Sequence, residues 1–222
     1  MLPPQLQHPD GSLSHAARSR PMAPGSRMSR YRGKDRPCTC VFLHMEQRHQ
    51  TSGDFRGTGL PPGSGLPAGL RLRPLEPSDR DGVASLFTRL SPESRRRRFL
   101  APKPELSARE LTYLTEVDHR WHEALAAVDP NDGSIVAVAR YAGIPDRPSA
   151  ADVAVAVVDE LQRRGIGLAL ACCLIGRARA NGFALLTAST LWDNRPARGL
   201  LRRLGFRARG SQANVIELEL DL

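Results

Sequence analysis

Asp152-Val-Ala-Val-Ala-Val-Val-Asp-Glu-Leu-Gln-Arg-Arg-Gly-Ile-Gly-Leu-Ala-Leu-Ala171 changes its periodicity in mid-course. It begins as an apolar run, Val153 to Val158, rich in β-branched residues and short enough for a buried strand. The chain then turns through Asp159, Glu160 and Leu161, and the two acids read as solvated loop residues. After Gly167 the apolar residues fall at Leu168, Leu170, Ala171, Leu174, Ile175 and Ala178, which is helical spacing. The local object is a strand, a tight polar loop and a helix. The loop is Gln162-Arg163-Arg164-Gly165-Ile166-Gly167. Its glycines let the backbone approach a ligand closely and turn amides outward. A helix opening there aims unpaired N–H groups and its positive end at a ligand. An anion site follows, suited to a phosphate or pyrophosphate.

Two common phosphate motifs do not fit. The dinucleotide fingerprint needs a third glycine, where this chain has Leu170, and an acidic residue about 20 positions on. The loop of nucleoside triphosphatases ends in Gly-Lys-Ser/Thr, and this loop holds no lysine. What remains, Gln-x-x-Gly-x-Gly behind a strand that starts with an acid, resembles the acetyl-CoA motif of the GNAT superfamily of N-acetyltransferases. The resemblance spans residues 70 to about 220. Asn194-x-x-Ala197-x-x-Leu200-Leu201-x-x-x-Gly205-Phe206 is similar to the superfamily's closing motif. Leu90-Ser-Pro-Glu-Ser94 and Val117-Asp-His119 resemble the actinobacterial branch that includes Pat-type protein lysine acetyltransferases.

The 222 residues suffice for one domain and an extension. Net charge is +9, and 30 of the 32 basic residues are arginine. That skew reads first as genome composition and second as affinity for nucleic acid, which is not the favoured partner. With no run of eighteen apolar residues there is no membrane span to expect. The start of the chain lacks the apolar stretch of a secretory signal. Cys38, Cys40, Cys172 and Cys173 form no disulfide framework, so a reducing cytoplasm is the expected location. Both monomer and homodimer remain open.

Residues 1–69 hold 9 glycines and 9 prolines, against 10 and 9 in the 153 residues that follow. Such a chain buries too little apolar surface to offset its ordering entropy, and it reads as a disordered tail. Its basic content suits a loose arm on nucleic acid or a membrane surface. An untethered tail, or a start codon placed too early, explains it more simply. Cys38-Thr39-Cys40 with His44 and His49 could hold zinc, but the Cys spacing is tighter than usual, and no metal is expected. The segment is also too short and too poor in strands for the cyclic-nucleotide domain fused to some Pat-type enzymes.

Residues 70–222 read as the N-acetyltransferase domain, an α/β (α+β) fold with a mixed, mostly antiparallel sheet of six to seven strands flanked by helices. A first strand covers residues 70–75. A helix carries Val83, Leu86, Phe87 and Leu90 on one face, and Ser91-Pro92 starts a second helix. That second helix contains Arg95 to Arg98, a solvated face or a contact to an acidic substrate or CoA phosphate. Ser107-Ala-Arg-Glu110 is a capping box for a third. Residues 122–128 and 135–141 form a hairpin about the turn 129–133. A longer loop, 143–149, precedes the central strand. Residues 184–189 and 215–220 supply further strands around a helix that opens at Asn194 and stops at Gly205.

The resemblance implies acetyl transfer from acetyl-CoA to a primary amine, on a small molecule or a protein lysine, within one ternary complex. By resemblance the pyrophosphate lies on Gln162, Arg163, Arg164, Gly165, Ile166, Gly167 and Leu168. The strand backbone at Val155, Ala156 and Val157 lines the pantetheine arm, and Asn194 touches it while capping its helix. Asp152 stands where many relatives carry a glutamate base. It is either that base, acting through water, or an ordinary strand-start residue. Glu123 on a neighbouring strand is a substitute. Many relatives carry a tyrosine acid one position after Leu200, where this chain has Leu201. Cys172 and Cys173 read as core packing. The alternative class is a catalytically weak acyl-CoA sensor or a basic nucleic-acid-associated module.

Overall fold

The structure is a computed structural model that describes Leu66 and residues 69–222. The Cys38, Cys40, His44 and His49 group and nearly all of the tail lie outside the described residues.

Among the described residues, seven strands form one sheet in the order β1-β2-β3-β4-β5-β7-β6. The strands are β1 (Arg71–Pro74), β2 (His122–Val128), β3 (Ile135–Ile144), β4 (Arg147–Val157), β5 (Leu185–Leu191), β6 (Arg207–Gln212) and β7 (Val215–Asp221). The helices are α1 (Arg80–Arg89), α2 (Pro92–Phe99), α3 (Ala108–Thr115), α4 (Ile166–Ala180) and α5 (Arg195–Arg203). Only β4 and β5 pair in parallel. A parallel pair needs a crossover, and α4 supplies it. No described helix is long and apolar enough to cross a membrane.

Local chemistry sets the boundaries. Ser91 Oγ accepts from the Ser94 amide at the start of α2, with Pro92 in the first turn. Ser107 and Glu110 form the reciprocal capping box of α3. Helix α4 buries Ile166, Leu170, Cys173, Leu174 and Ala178 against one sheet face. Helices α1 and α3 cover the other face with Val83, Leu86 and Leu114. Cys173 is buried and Cys172 half-buried on α4, as packing residues would be.

Two expectations need correction. The loop placed at 143–149 is a two-residue turn, Pro145-Asp146, because β3 runs on to Ile144 and β4 starts at Arg147. The outer part of that hairpin is exposed and held by backbone pairing, so it lacks the apolar pattern by which a strand is read. Strand β6 was not placed by the reading of the chain. All six of its residues are exposed on an edge, its register shifts between Ala208 and Gly210, and no alternation marks it.

Gly143 lies under the Trp121 indole, and a Cβ built on it would come 2.1 Å from the ring. Trp121 packs on Phe183, centroids 5.7 Å apart, and has little room to withdraw. Gly143→Ala is expected to cost about 2 kcal/mol through overpacking, measured as a lowered denaturation midpoint with unchanged m-value.

Candidate active site

Strands β4 and β5 share three partner pairs, Ala150 with Leu185, Ala151 with Leu186 and Asp152 with Thr187. Beyond these they part. β4 continues to Val157 with pairing to β3 alone, and β5 continues to Leu191 with pairing to β7 alone. The β5-facing edge of Val153–Val157 therefore lacks a strand partner. A cleft of about 710 Å³ opens beside it, within the range of small-molecule sites.

The loop after β4 forms one end of this cleft. It runs through a short 3₁₀ turn, Asp159–Leu161. Asp159, expected to be solvated, accepts hydrogen bonds from the Ser91 amide (2.9 Å) and the Ser91 and Ser94 hydroxyls (2.9 and 2.7 Å). Glu160 pairs with Arg89 at 2.6 Å. The two acids tie the loop to the junction of α1 and α2. Gln162 Nε2 donates to the Val157 carbonyl at 3.1 Å and to Ser94 Oγ at 3.3 Å, so its side chain braces the loop.

Arg163 and Gly165 adopt left-handed backbone, φ +61° and +85°. Gly165 is the N-cap of α4 and has no side chain to satisfy the first helical amides. The first bond of the helix is Ala169 N–H to Gly165 O, 3.0 Å. The amides of Ile166, Gly167 and Leu168 therefore have no helical acceptor, and these residues line the cleft. A Cβ on Gly165 would meet nothing within 4 Å, whereas one on Gly167 would touch Leu200, Val155 and Val157 at 3.6–3.7 Å. At Gly165 glycine is needed for its φ; at Gly167 an added methyl would make only ordinary contacts with the protein.

Helix α5 forms the facing wall. Asn194 is 8% exposed, caps the helix by accepting from the Ala197 amide at 3.2 Å, and lines the cleft. Val155, Ala156, Val157, Gln162, Arg163, Gly165, Ile166, Gly167, Leu168 and Asn194 are thus brought together around one space. Arg164 is exposed and is not part of the lining. Asp152 stands just beyond the cleft's end, at the last paired position before the strands part.

The cleft is strongly electropositive. Arg97, Arg98, Arg163, Arg195, Arg202 and Arg203 line it, and no acidic side chain does among the described residues. Arg96, next in the same run, pairs with Glu93 and Asp193, and Arg97 shares Glu93 at 2.8 Å, so its charge is partly met outside the cleft. Arg195, Arg202 and Arg203 were missed by the reading of the chain, although arginines at 195, 198 and 202 fall at helical spacing. Thr190 was missed as well. It is 2% exposed, its Oγ1 has no hydrogen-bond partner among the described residues, and it lines the cleft. No pattern could have singled it out, because threonine is ordinary in a strand.

Asp152 Oδ1 accepts from Thr187 Oγ1 at 2.9 Å. Burial pushes the Asp152 carboxyl up to about 6, while the Thr187 hydrogen bond and the nearby Arg98 charge act in the opposite direction. A carboxyl with that value is mostly ionised at pH 7 and still basic enough to accept a proton. Glu123 does not share this position. It pairs with Tyr141, which pairs with Val153, so the strand pleat turns it to the face opposite Asp152. There it is fully buried, 2.7 Å from His119 Nδ1 and 3.3 Å from Arg177. Tyr141 is buried on that face too, its hydroxyl donating to the Arg120 carbonyl and accepting from Asn181. Tyr113 stacks on His122, and neither tyrosine lines the cleft. At Leu201 the cleft wall is aliphatic.

Residues 89–206 match the profile of the Acetyltransferase (GNAT) family. An acetyltransferase of Pseudomonas aeruginosa is 34% identical over 137 residues, covering 61% of this chain and 73% of that protein. The chain belongs to the GNAT acetyltransferase family, and it is an acyltransferase. The GNAT domain of S. lividans PAT superposes with a TM-score of 0.65 at 30% identity, covering 69% of this chain and 90% of that domain. Acetyltransferase Pat of Mycolicibacterium smegmatis is 32% identical over 151 residues, which is 68% of this chain but 45% of that longer protein. Within the family, then, the chain is similar to the Pat-like branch.

Proposed function

We propose that this chain moves an acetyl group from acetyl-CoA to a primary amine, on a small molecule or a protein lysine, by direct transfer in a ternary complex. The observation that carries this reading is that six arginines, and no acid among the described residues, line the cleft onto which the unpaired amides at the start of α4 open. A thioester donor bearing a pyrophosphate and a further phosphate matches that field, and anions bind well at such a helix start.

In this reading the pyrophosphate lies on the amides of Ile166, Gly167 and Leu168, with Arg163 beside it. The pantetheine arm runs along the open edge of Val155–Val157, where backbone groups hold it as a neighbouring strand would. The thioester carbon then sits where β4 and β5 part, next to Asp152. The amine nitrogen attacks that carbon; the C–N bond forms, the C–S bond breaks, and CoA leaves as a thiolate. The proton shed by the amine passes through a water to Asp152, and the thiolate takes up a proton from solvent. Holding both reactants supplies a large part of the acceleration. A strand amide facing the carbonyl oxygen supplies electrostatic help.

Calorimetry of the full chain with acetyl-CoA is the first test, with micromolar binding expected. No heat at millimolar donor would remove the donor reading. Labelled acetyl-CoA with a panel of amines, peptides and lysate proteins then identifies the acceptor. Tight binding with no transfer to any of them would favour the sensor reading, to which the aliphatic wall at Leu201 lends support.

A further inference from the structure

The cleft has an apolar annex. A second cavity, about 40 Å³, lies between the front face of the sheet and helices α1 to α3. Leu90, Arg98, Ala154 and Ala156 line both this cavity and the cleft, so the two spaces meet along β4. The meeting place follows the point where β4 and β5 part after Asp152 and Thr187. On the face turned to the annex β4 carries only the methyl side chains of Ala154 and Ala156, and beyond them the lining includes Val83, Leu114 and Val138, with the Arg140 guanidinium held by the Tyr113 carbonyl and His122. By the measure in which one water needs roughly 10–15 Å³, the annex holds about three methylene-sized groups.

We propose that this annex receives the acyl chain of the donor, so that the enzyme accepts straight, uncharged acyl groups of three to five carbons and holds them more tightly than acetyl. The inference rests on the donor reading above. An acyl carbon placed at the parting of the strands has the annex at its side, on the sheet face that Asp152, Ala154 and Ala156 share. Each methylene that enters leaves water for an apolar wall, and the gain is proportional to the area buried. The size of the annex limits that gain to short chains.

Titration of the full chain with CoA, acetyl-CoA, butyryl-CoA, octanoyl-CoA and succinyl-CoA reads this directly and needs no acceptor. Butyryl-CoA is expected to bind about tenfold more tightly than acetyl-CoA, the transfer of two methylenes. Octanoyl-CoA should gain nothing beyond butyryl-CoA. Val83, 5% exposed, lines the annex and not the cleft. Val83→Phe should fill the annex, leaving acetyl-CoA affinity within about twofold and removing the butyryl advantage. If that variant loses acetyl-CoA binding altogether, Val83→Ile is read in its place and should cut the advantage by at least half. Equal binding of acetyl- and butyryl-CoA, an affinity still rising at octanoyl-CoA, tighter binding of succinyl-CoA, or a butyryl advantage untouched by the Val83 change would each overturn the proposal. A chain that binds neither CoA nor acetyl-CoA would sink the donor reading and this inference together.

Discussion

Asp152→Asn is expected to lower turnover at pH 7 by about a hundredfold while leaving acetyl-CoA affinity within a factor of two. The two halves of that result have separate causes. The amides and arginines proposed to hold the donor lie along the cleft, and Asp152 lies outside its lining. The reaction, in contrast, must first free an amine that is about one part in a thousand neutral at pH 7 if it is a lysine. A positioned base is worth roughly a hundredfold or more there. Wild-type turnover should rise as pH climbs through about 6, where the Asp152 carboxyl ionises, and the variant should lose that inflection. Raising the pH further should partly rescue the variant, because more of the amine is then already neutral.

The same substitution carries a second signature of opposite sign. The folded carboxyl sits above its ordinary value, chiefly through burial, so its ionisation works against the fold. Unfolding is favoured by that charge at neutral pH. The cost fades as pH falls through about 6 and is gone below the unfolded value near 3.8. The D152N chain should therefore be more stable than wild type at pH 7, by about 2 kcal/mol, with the difference closing by pH 4. Lower activity with higher stability marks a group held for chemistry. Unchanged turnover at pH 7 would leave Asp152 with a structural role alone, as the mid-strand partner of Thr187.

Gly165→Asp should abolish detectable acetyl-CoA binding, at least a hundredfold loss by calorimetry. Two effects add. The left-handed φ of +85° strains any residue with a Cβ by about 1 kcal/mol. The new carboxylate would also stand at the N-cap position beside the unpaired amides, where nothing but its chain neighbours lies within 4 Å of its Cβ. It would oppose a pyrophosphate and could itself accept from those amides as a helix cap. Gly165→Ala isolates the strain, and it should weaken binding by no more than about tenfold. If the aspartate variant binds as well as the alanine one, the donor's phosphates do not lie at the start of α4.

The strand, loop and helix from 152 to 180 were legible because each element obeys its own period. Val153–Val158 is a short β-branched run, α4 is apolar at helical spacing, and the glycines fall between them. The caps at Ser91, Ser107 and Asn194 were legible too, since each needs only a side-chain oxygen and an amide within three residues. Other features depend on contacts distant in sequence. Asp159 looked like a solvated loop acid, yet it is held by Ser91 and Ser94 some 65 to 68 positions earlier. Thr190 became conspicuous only when its hydroxyl proved both buried and unpartnered. Strand β6 carries no apolar stripe, because its pairing with β7 is a backbone matter.

The parting of β4 and β5 has a mechanical meaning. Three residue pairs join β1–β4 to β5–β7–β6, against seven between β5 and β7. The sheet is two plates welded along a short seam, and Asp152 and Thr187 form the last stitch. Widening the gap to admit a bulkier thioester and weakening the joint are one displacement. Any change at Ala151, Asp152, Leu186 or Thr187 therefore acts at once on the width of the slot and on the bond between the plates.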